Sequence, residues 1–551
     1  MLVNISIIHI FLLSVCFFLM IVLFYFNLKD IIKHLSRIRK TTWIMLLIIF
    51  IFAFFTISIS PKMFFTLHDE YSFGKVSKEI LSGNIALALE KSITYPFLIT
   101  LTFLIFGSSL SVFYSLNLFL GALSVLVIFL VTYLLFEREG AALYSALLLS
   151  FFPLHILVSG SMESNTSSIF FAMLALFCFL FYFKNRGFRS RMLAAVSLSL
   201  AVCSRLEFVV LILVFGIMVL LFDKDLRKGF RTLKYWSPWI LSILLVTPFL
   251  ISTAYYATLI SEENPHAYGY YQHILSTAAL GENIYFAERL FINPSFFPSY
   301  FILFFLIGAA SLLIRERKKL FFLLLWILTF IVVYLSFEFP QERLLLIGYI
   351  MVIVLWAGGI SFLEESAKKM VFKKPDPRIS LGISIAILLL LSFAFYPYLA
   401  LVQRSPTKVN TRLYLWEQRE PYLEREAMLY MERNLGECVI LVVDSEPFIA
   451  GHLRPFTIGY VLEDPGILNG LGDCVLFFED MYCNASKAIY DDEAVDKEYK
   501  RLCREMHEKF ELEIFKEFEI DLNENYSDLK SKVIEGDSFT FRLYKINSVK
   551  S

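Results

Sequence analysis

The sequence predicts a mostly α, polytopic transmembrane helical bundle of about twelve helices, followed by a smaller external α/β domain. Three observations carry this. Of 551 residues, 58% are hydrophobic and only 18% charged, with a mean hydropathy of +0.66, whereas soluble domains carry about a quarter charged residues. Apolar runs of spanning length (about 20 residues) recur from Ile5 to Leu399. Beyond Tyr398 those runs stop and the chain becomes polar and acidic. The boundary divides a transmembrane unit, residues 1–399, from a soluble unit, residues 400–551, of ordinary domain size. Net charge is zero, which argues against nucleic acid, whose binding rests on clustered positive charge.

Taken in order, the apolar runs fall at Ile5–Phe26, Trp43–Ile59, Leu110–Phe136, Ala141–Val158, Ser167–Phe183, Phe208–Phe222, Trp236–Ala257, Phe297–Ile314, Leu320–Phe337, Leu344–Leu363 and Ile379–Leu399. The first lacks a preceding basic stretch and a small-residue cleavage site, so it reads as an uncleaved anchor with an external N-terminus. Lys and Arg set the orientation. The basic loops Lys29–Lys40, Lys184–Arg191, Asp223–Lys234, Arg315–Lys319 and Lys368–Lys374 all fit the cytoplasmic side only if Met192–Phe222 crosses twice. That segment has 31 residues, about 46 Å as helix. It is either two short helices meeting at CSRLE, with Arg205 and Glu207 in a cavity, or one strongly tilted helix.

With two short helices, every loop with candidate chemistry faces outward. These are the Ser60–Thr94 loop, the Ser159–Asn165 turn, the Thr258–Phe296 loop, the FPQER turn and the whole C-terminal unit. The Ser60–Thr94 loop holds the acidic pair Asp69-Glu70 in TLHDEYSFGK, close after a span. A hydrated loop is where a membrane protein can keep a carboxylate ionised and useful.

The stretches TYPFLITLTFLIFG, LNLFLGALSVLVIFLVTYLLF, ALYSALLLSFFPLHILVSGSMESNTSSIFFAMLALF and LAAVSLSLAVCSRLEFVVLIL resemble, in this order, the shared core of GT-C glycosyltransferases. The nearest branch is the protein O-mannosyltransferase-like one, with its lipid A aminoarabinose transferases. The resemblance covers about Phe65 to Leu220, with a weaker echo at FPQERLLLIGYIMVIV. It implies an acidic pair in the first external loop, here Asp69 and Glu70. It also implies a Tyr-Pro element, Tyr95-Pro96, leading into a juxtamembrane helix. A Pro ends the next external helix, an acid opens the following one (Glu163), and an Arg lies between two later helices (Arg205). Pro96 is followed by Phe97 rather than a second Pro, Glu163 replaces an Asp, and Arg343 precedes Leu344 rather than Tyr, so neither subfamily nor sugar follows.

The resemblance implies a transferase that moves a sugar from a polyprenyl (dolichyl) phosphate donor to an extracytoplasmic glycan, lipid or protein, with inversion and an Asp base. The chemistry stands on its own terms. Displacement at an anomeric carbon needs a base for the acceptor proton and cations to hold the departing phosphate. Asp69 is the candidate base, and Glu70 a neighbour that assists it or binds acceptor. Arg205 and Arg343 are the phosphate candidates, because a guanidinium offers a bidentate fork and keeps its charge. Against this, Arg205 is equally an ion-pair partner for Glu207, and Arg343 an interfacial Arg snorkelling from a helix end. Glu163 either supports the pocket or complements a helix dipole. Tyr95, His68 and His155 complete the substrate-side candidates. The two histidines lie near acids and raise the question of a divalent metal, but neither Asp-x-Asp nor His-x-x-x-His spacing occurs, so no cofactor is expected. Aromatics in AYGYYQH stack on sugar or form an interfacial belt. Asn165, Asn484 and Asn525 each begin a glycosylation-type triplet.

In the C-terminal unit Arg425–Asn434 reads as helix, ECVILVVD and DCVLFFED as short buried strands, Asp491–Phe518 as helix and SFTFRLYKI as a final strand. Four of the seven cysteines lie here. Outside the cell an even set suggests disulfides. If the two strands are parallel neighbours, Cys438 and Cys474 come within reach and Cys483 is left for Cys503, although four cysteines allow three connectivities. Cys16, Cys178 and Cys203 lie in helices as packing residues.

The alternative class is a flippase or transporter of lipid-linked saccharide without transfer chemistry. It predicts internal repeats, which the sequence does not show. An oligosaccharyltransferase-type reading calls for a Trp-Trp-Asp signature, and no Trp-Trp is present. The expected place is the cell membrane, multi-pass, with the catalytic loops and C-terminal unit outside.

Overall fold

A computed structural model of the protein describes residues 2–60, 67–83, 94–223, 232–263, 297–336, 342–371, 377–404, 427–428, 430–431, 433–443, 454–472, 474–480, 483, 493–521 and 538–550. Among these, eight helices are long and apolar enough to cross a membrane, or nine if one bent pair counts as a single span, and three shorter apolar helices stand beside them. The protein is a multi-pass, mostly helical membrane protein with a small sheet domain at its C-terminal end.

The first helices are α1 (Leu2–Leu35), α2 (Lys40–Ile59), α3 (Leu67–Ser82), α4 (Thr94–Phe106), α5 (Leu110–Phe136), α6 (Glu139–Phe151), α7 (Pro153–Ser159), α8 (Ser164–Asn185), α9 (Phe188–Ser204) and α10 (Val210–Phe222). Then come α11 (Leu233–Glu263), α12 (Phe301–Arg315), α13 (Arg317–Leu335), α14 (Leu346–Val371) and α15 (Pro377–Arg404). Pro153 separates α6 from α7 with a 63° bend. Proline forces the residue before it out of helical geometry, and Phe152 is extended at φ −69°, ψ 115°. Gly107 ends α4 in the left-handed region at φ 85°, where a Cβ would be strained. The centre is α8 and α14, enclosed by α5, α6, α9 and α12, while α15 is mostly exposed.

Two hydrogen bonds at opposite ends of α8 establish the course of α9 and α10. Asn165, in the first turn of α8, accepts from Arg205 Nη1 at 2.7 Å, just after α9 ends. Tyr182, in the last turn of α8, donates to Asp223 at 2.6 Å, just after α10 ends. The chain therefore rises along α8 in α9, turns at Arg205 and returns in α10. Of the two readings of Met192–Phe222, the pair of short helices is the one found.

The basic stretches beginning at Lys29, Lys184, Arg315 and Lys368 gather at one end of the bundle. There Asp30 accepts from Asn185 at 3.2 Å and Arg39 pairs with Glu139 at 2.7 Å. Lys184 pairs with Glu137, Arg138 with Glu365 at 3.0 Å and Lys368 with Glu364 at 2.5 Å. Lys318 donates to the Leu221 carbonyl at 2.9 Å, next to Asp223.

Two expectations change. The Ser60–Thr94 segment is not a plain loop, because Leu67–Ser82 is helical. The run Asp491–Phe518 is not one helix. It divides into α17 (Glu493–Lys509) and β4 (Phe510–Asp521), because FELEIF alternates with a period of two and pairs with the final strand.

The C-terminal sheet contains β1 (Val439–Val442), β2 (Arg454–Thr457), β3 (Val475–Glu479), β4 and β5 (Ser538–Val549), in the order β2-β1-β3-β5-β4. Strands β1 and β3 are parallel neighbours with Val439 opposite Val475. This register places Cys438 beside Cys474, and they are bonded, as are Cys483 and Cys503. One sheet face, with Leu441, Phe477 and Tyr544, packs on α16 (Ile458–Glu463) and α17. The other, with Ile440, Leu476, Phe478 and Leu543, joins a single buried cluster with Tyr95, Phe113 and Met162 of the bundle. The soluble unit is thus seated at the end opposite the basic loops.

Candidate active site

At this end the turn between α7 and α8 is fixed from several sides. Tyr95, fully buried at the start of α4, donates its hydroxyl to the Met162 carbonyl at 2.9 Å. Asn117 of α5 donates to the carbonyls of Ser161 at 2.8 Å and Glu163 at 2.7 Å. Thr94 donates to the Cys203 carbonyl at 2.7 Å, tying α4 to the end of α9. An asparagine within an apolar run is costly unless it meets such a need.

Glu163 is the N-cap of α8, yet its side chain makes no cap hydrogen bond. Its carboxylate forms an ion pair with Arg343, from the short 3-10 turn Glu342–Leu345, and both side chains are buried. Arg205 has extended backbone at the C-cap of α9, φ −156° and ψ 142°. Its guanidinium grips Glu207 through Nη2 at 2.7 Å and Nε at 3.2–3.3 Å. Its other edge donates to Asn165 Oδ1 at 2.7 Å. The amide of Asn165 in turn donates to Glu163 at 3.1 Å. Arg343 and Tyr334 lie within electrostatic reach of Glu207. Two arginines and two glutamates from three parts of the chain therefore form one connected cluster of balanced charge.

Of the sequence candidates, Arg205, Glu207, Arg343 and Glu163 meet here, and Tyr95 supports the turn that carries Glu163. Arg205 is ion-paired with Glu207. Arg343 does not snorkel, because only 7% of its side chain is exposed and it is paired. His155 lies within α7, all of which is buried. His68, Asp69 and Glu70 lie in the first turn of α3, and their side chains fall outside the described residues. AYGYYQH, Asn484 and Asn525 also fall outside them. Asn165 is 3% exposed with both amide atoms engaged, so it is no glycosylation acceptor.

The helix α3 is nonetheless anchored to the cluster's support. Ser77 donates to the Pro96 carbonyl at 3.0 Å, and Phe73 meets the Tyr95 ring edge-on at 5.2 Å. Asp69 precedes Phe73 by one helical turn. Among the described residues, a further group of metal-ligating types is Asp480, Cys483 and Cys503, but a disulfide leaves no thiolate to bind metal.

The site residues Asn117, Asn165 and Tyr334 were not singled out from the sequence. Asn117 carried a signal, a lone amide within an apolar run. Asn165 was visible only as part of a triplet, and Tyr334 looked like one more aromatic in an apolar helix.

Residues 90–252 match the family model of dolichyl-phosphate-mannose-protein mannosyltransferase. The fold is similar to that of ArnT from Cupriavidus metallidurans in the apo state, at 13% identity and a TM-score of 0.51, covering 92% of this chain and 98% of that one. Both likenesses, a family-model match over residues 90–252 and a shared fold, are to GT-C membrane glycosyltransferases. ArnT bound to undecaprenyl phosphate gives the same coverage at 11% identity and a TM-score of 0.50. The oligosaccharyltransferase of Archaeoglobus fulgidus in its apo form is more distant, with 12% identity, a TM-score of 0.48, and 88% and 74% of the two chains covered. No curated protein matches the chain. The matched segment runs from just before α4 into α11 and contains Tyr95, Glu163, Asn165, Arg205 and Glu207. Arg343 lies beyond it and enters the cluster through the fold.

Proposed function

We propose that the protein transfers a sugar from a polyprenyl (dolichyl) phosphate to an extracytoplasmic acceptor (glycan, lipid or protein) by a single inverting displacement. The observation that carries this reading is the buried cluster at one end of the bundle, where two guanidiniums stand beside two carboxylates. A lipid-linked phosphate is the ligand for which paired arginines are suited. Support also comes from the similar fold of ArnT, which binds undecaprenyl phosphate.

In this mechanism the acceptor oxygen attacks the anomeric carbon, its proton passes to Asp69, and the glycosidic bond to phosphate breaks with its electron pair remaining on the phosphate. Arg205 and Arg343 hold that leaving group, exchanging part of their bonding to Glu207 and Glu163 for phosphate oxygens. Glu70 assists at the acceptor. Tyr95 holds the Glu163 turn, and His68 lies on the same helical turn as the acids. His155, buried in α7, acts as a packing residue in this scheme. No resident cofactor is required.

Residues 1–399 form the catalytic unit and residues 400–551 a lid-like external domain. The basic end faces the cytoplasm and the cluster faces outward, in the cell membrane. The positive-inside rule and two disulfides in the soluble unit support this orientation. The test is transfer of labelled sugar from its polyprenyl phosphate to acceptor by purified protein. Transport of the intact lipid-linked sugar without transfer would support the flippase instead.

A further inference from the structure

We infer that Asn165 is a positioning residue that couples the two arginine–glutamate pairs and sets Arg205 for the lipid phosphate. The inference rests on the reading that Arg205 and Arg343 hold phosphate.

Arg205 and Glu163 stand at the ends of different helices, and Asn165 spans them. Its carbonyl oxygen accepts from Arg205 Nη1 at 2.7 Å, while its amide donates to Glu163 Oε2 at 3.1 Å. The chemistry allows only this amide orientation, since a guanidinium only donates and an ionised carboxylate only accepts. Glu207 occupies Nε and Nη2 of the same guanidinium. Arg205 is therefore held along two edges, and its rotation is arrested before any ligand arrives, which lowers the ordering cost of binding. The other side of the cluster follows, because Glu163 is bonded to Asn165 through one oxygen and to Arg343 through the other.

Asparagine is the side chain that fits. Aspartate has the same shape but cannot donate, so it would set a second carboxylate against Glu163. Alanine would remove the link on both sides. Two changes together should restore the pattern: Asn165→Asp with Glu163→Gln exchanges amide and carboxylate. The pair then keeps one donor, one acceptor and the same total charge, and the carbonyl of the new glutamine remains available to Arg343.

The experiment measures binding of polyprenyl monophosphate to full-length protein in detergent, together with donor KM and kcat. Asn165→Asp and Asn165→Ala should each weaken binding by about tenfold, with the change mainly in donor KM, and the loss should overlap with that of Arg205→Lys rather than add to it. The double variant Asn165→Asp/Glu163→Gln should recover to within about threefold of wild type. A role in packing alone predicts no such rescue, since aspartate already fills the same space. Should Asn165→Asp fail to fold, Asn165→Ala and the double variant carry the test. Unchanged binding in Asn165→Ala, or a double variant no better than Asn165→Asp, overturns the inference. If the wild-type protein does not bind polyprenyl monophosphate, the reading of the arginines falls first, and this inference with it.

Discussion

Glu163 and Arg343 stand 180 residues apart in the chain and meet as a buried ion pair, with 2% and 7% of their side chains exposed. Nothing local brings them together. One caps α8 and the other sits on a 3-10 turn before α14, so the pair reports the packed bundle. Breaking such a pair strands a charge in a medium that cannot solvate it, typically at about 3–5 kcal/mol. Arg343→Ala should therefore lower the thermal midpoint and abolish transfer, and Glu163→Gln should do so less severely because the amide still accepts from the guanidinium. Equal midpoints for Arg343→Ala and wild type in detergent would remove the pair from both roles.

Close packing of α12 on α14 depends on two glycines. A Cβ at Gly308 would stand 2.1 Å from the Leu355 carbonyl oxygen, and one at Gly359 would stand 2.1 Å from that of Phe304. Small residues let helices approach in lipid, where no hydrophobic force drives them together. Gly359→Val should destabilise the bundle by about 1–3 kcal/mol or more, measured by thermal unfolding in detergent. Gly382→Ala meets nothing within 4 Å and should leave the midpoint unchanged.

The bonds Cys438–Cys474 and Cys483–Cys503 close separations of 36 and 20 residues. Cross-links of that span stabilise by about 3–4 kcal/mol each in the chain-entropy account. Non-reducing peptide mapping should recover both pairs, and reductant should lower the unfolding temperature of the soluble unit. Four free thiols would contradict the pairing and weaken the case for an oxidising compartment.

The proposed orientation rests on the same compartment argument and on the clustered basic end. A cysteine added near Ser527 should react with an impermeant maleimide on intact cells, and one near Lys33 should react only after permeabilisation. The reverse pattern would place the cluster on the wrong side for an exported donor.

The sequence made much of the fold legible, because membrane spans announce themselves in apolar length and the basic loops in charge. The turn at CSRLE was legible as well: Arg205 and Glu207 are two residues apart, so their pairing needed no tertiary information. The strands around Val439 and Val475 were clear from apolar runs, and their shared cysteines pointed to their register. By contrast, β2 is four residues including Pro455, too short to carry a period. β4 hid within a charged run because its outward positions are glutamates, which also suit a helix. The contacts of Asn165 and Arg343 could not be read, since they depend on how α8, α9 and the turn before α14 converge. Asp69 was the plainest signal in the sequence. Its helix proved to be tied to Tyr95 through Phe73, a link that only packing supplies.

In the proposed mechanism Asp69 takes the acceptor proton while the arginines hold the phosphate, and the most direct test is the turnover of Asp69→Asn. Asparagine keeps the size and hydrogen bonding of aspartate but cannot accept a proton at neutral pH. With purified protein and labelled polyprenyl-phosphate sugar, kcat should fall by about two orders of magnitude or more, while binding of polyprenyl monophosphate changes little. Near-normal transfer by well-folded Asp69→Asn protein would contradict the mechanism.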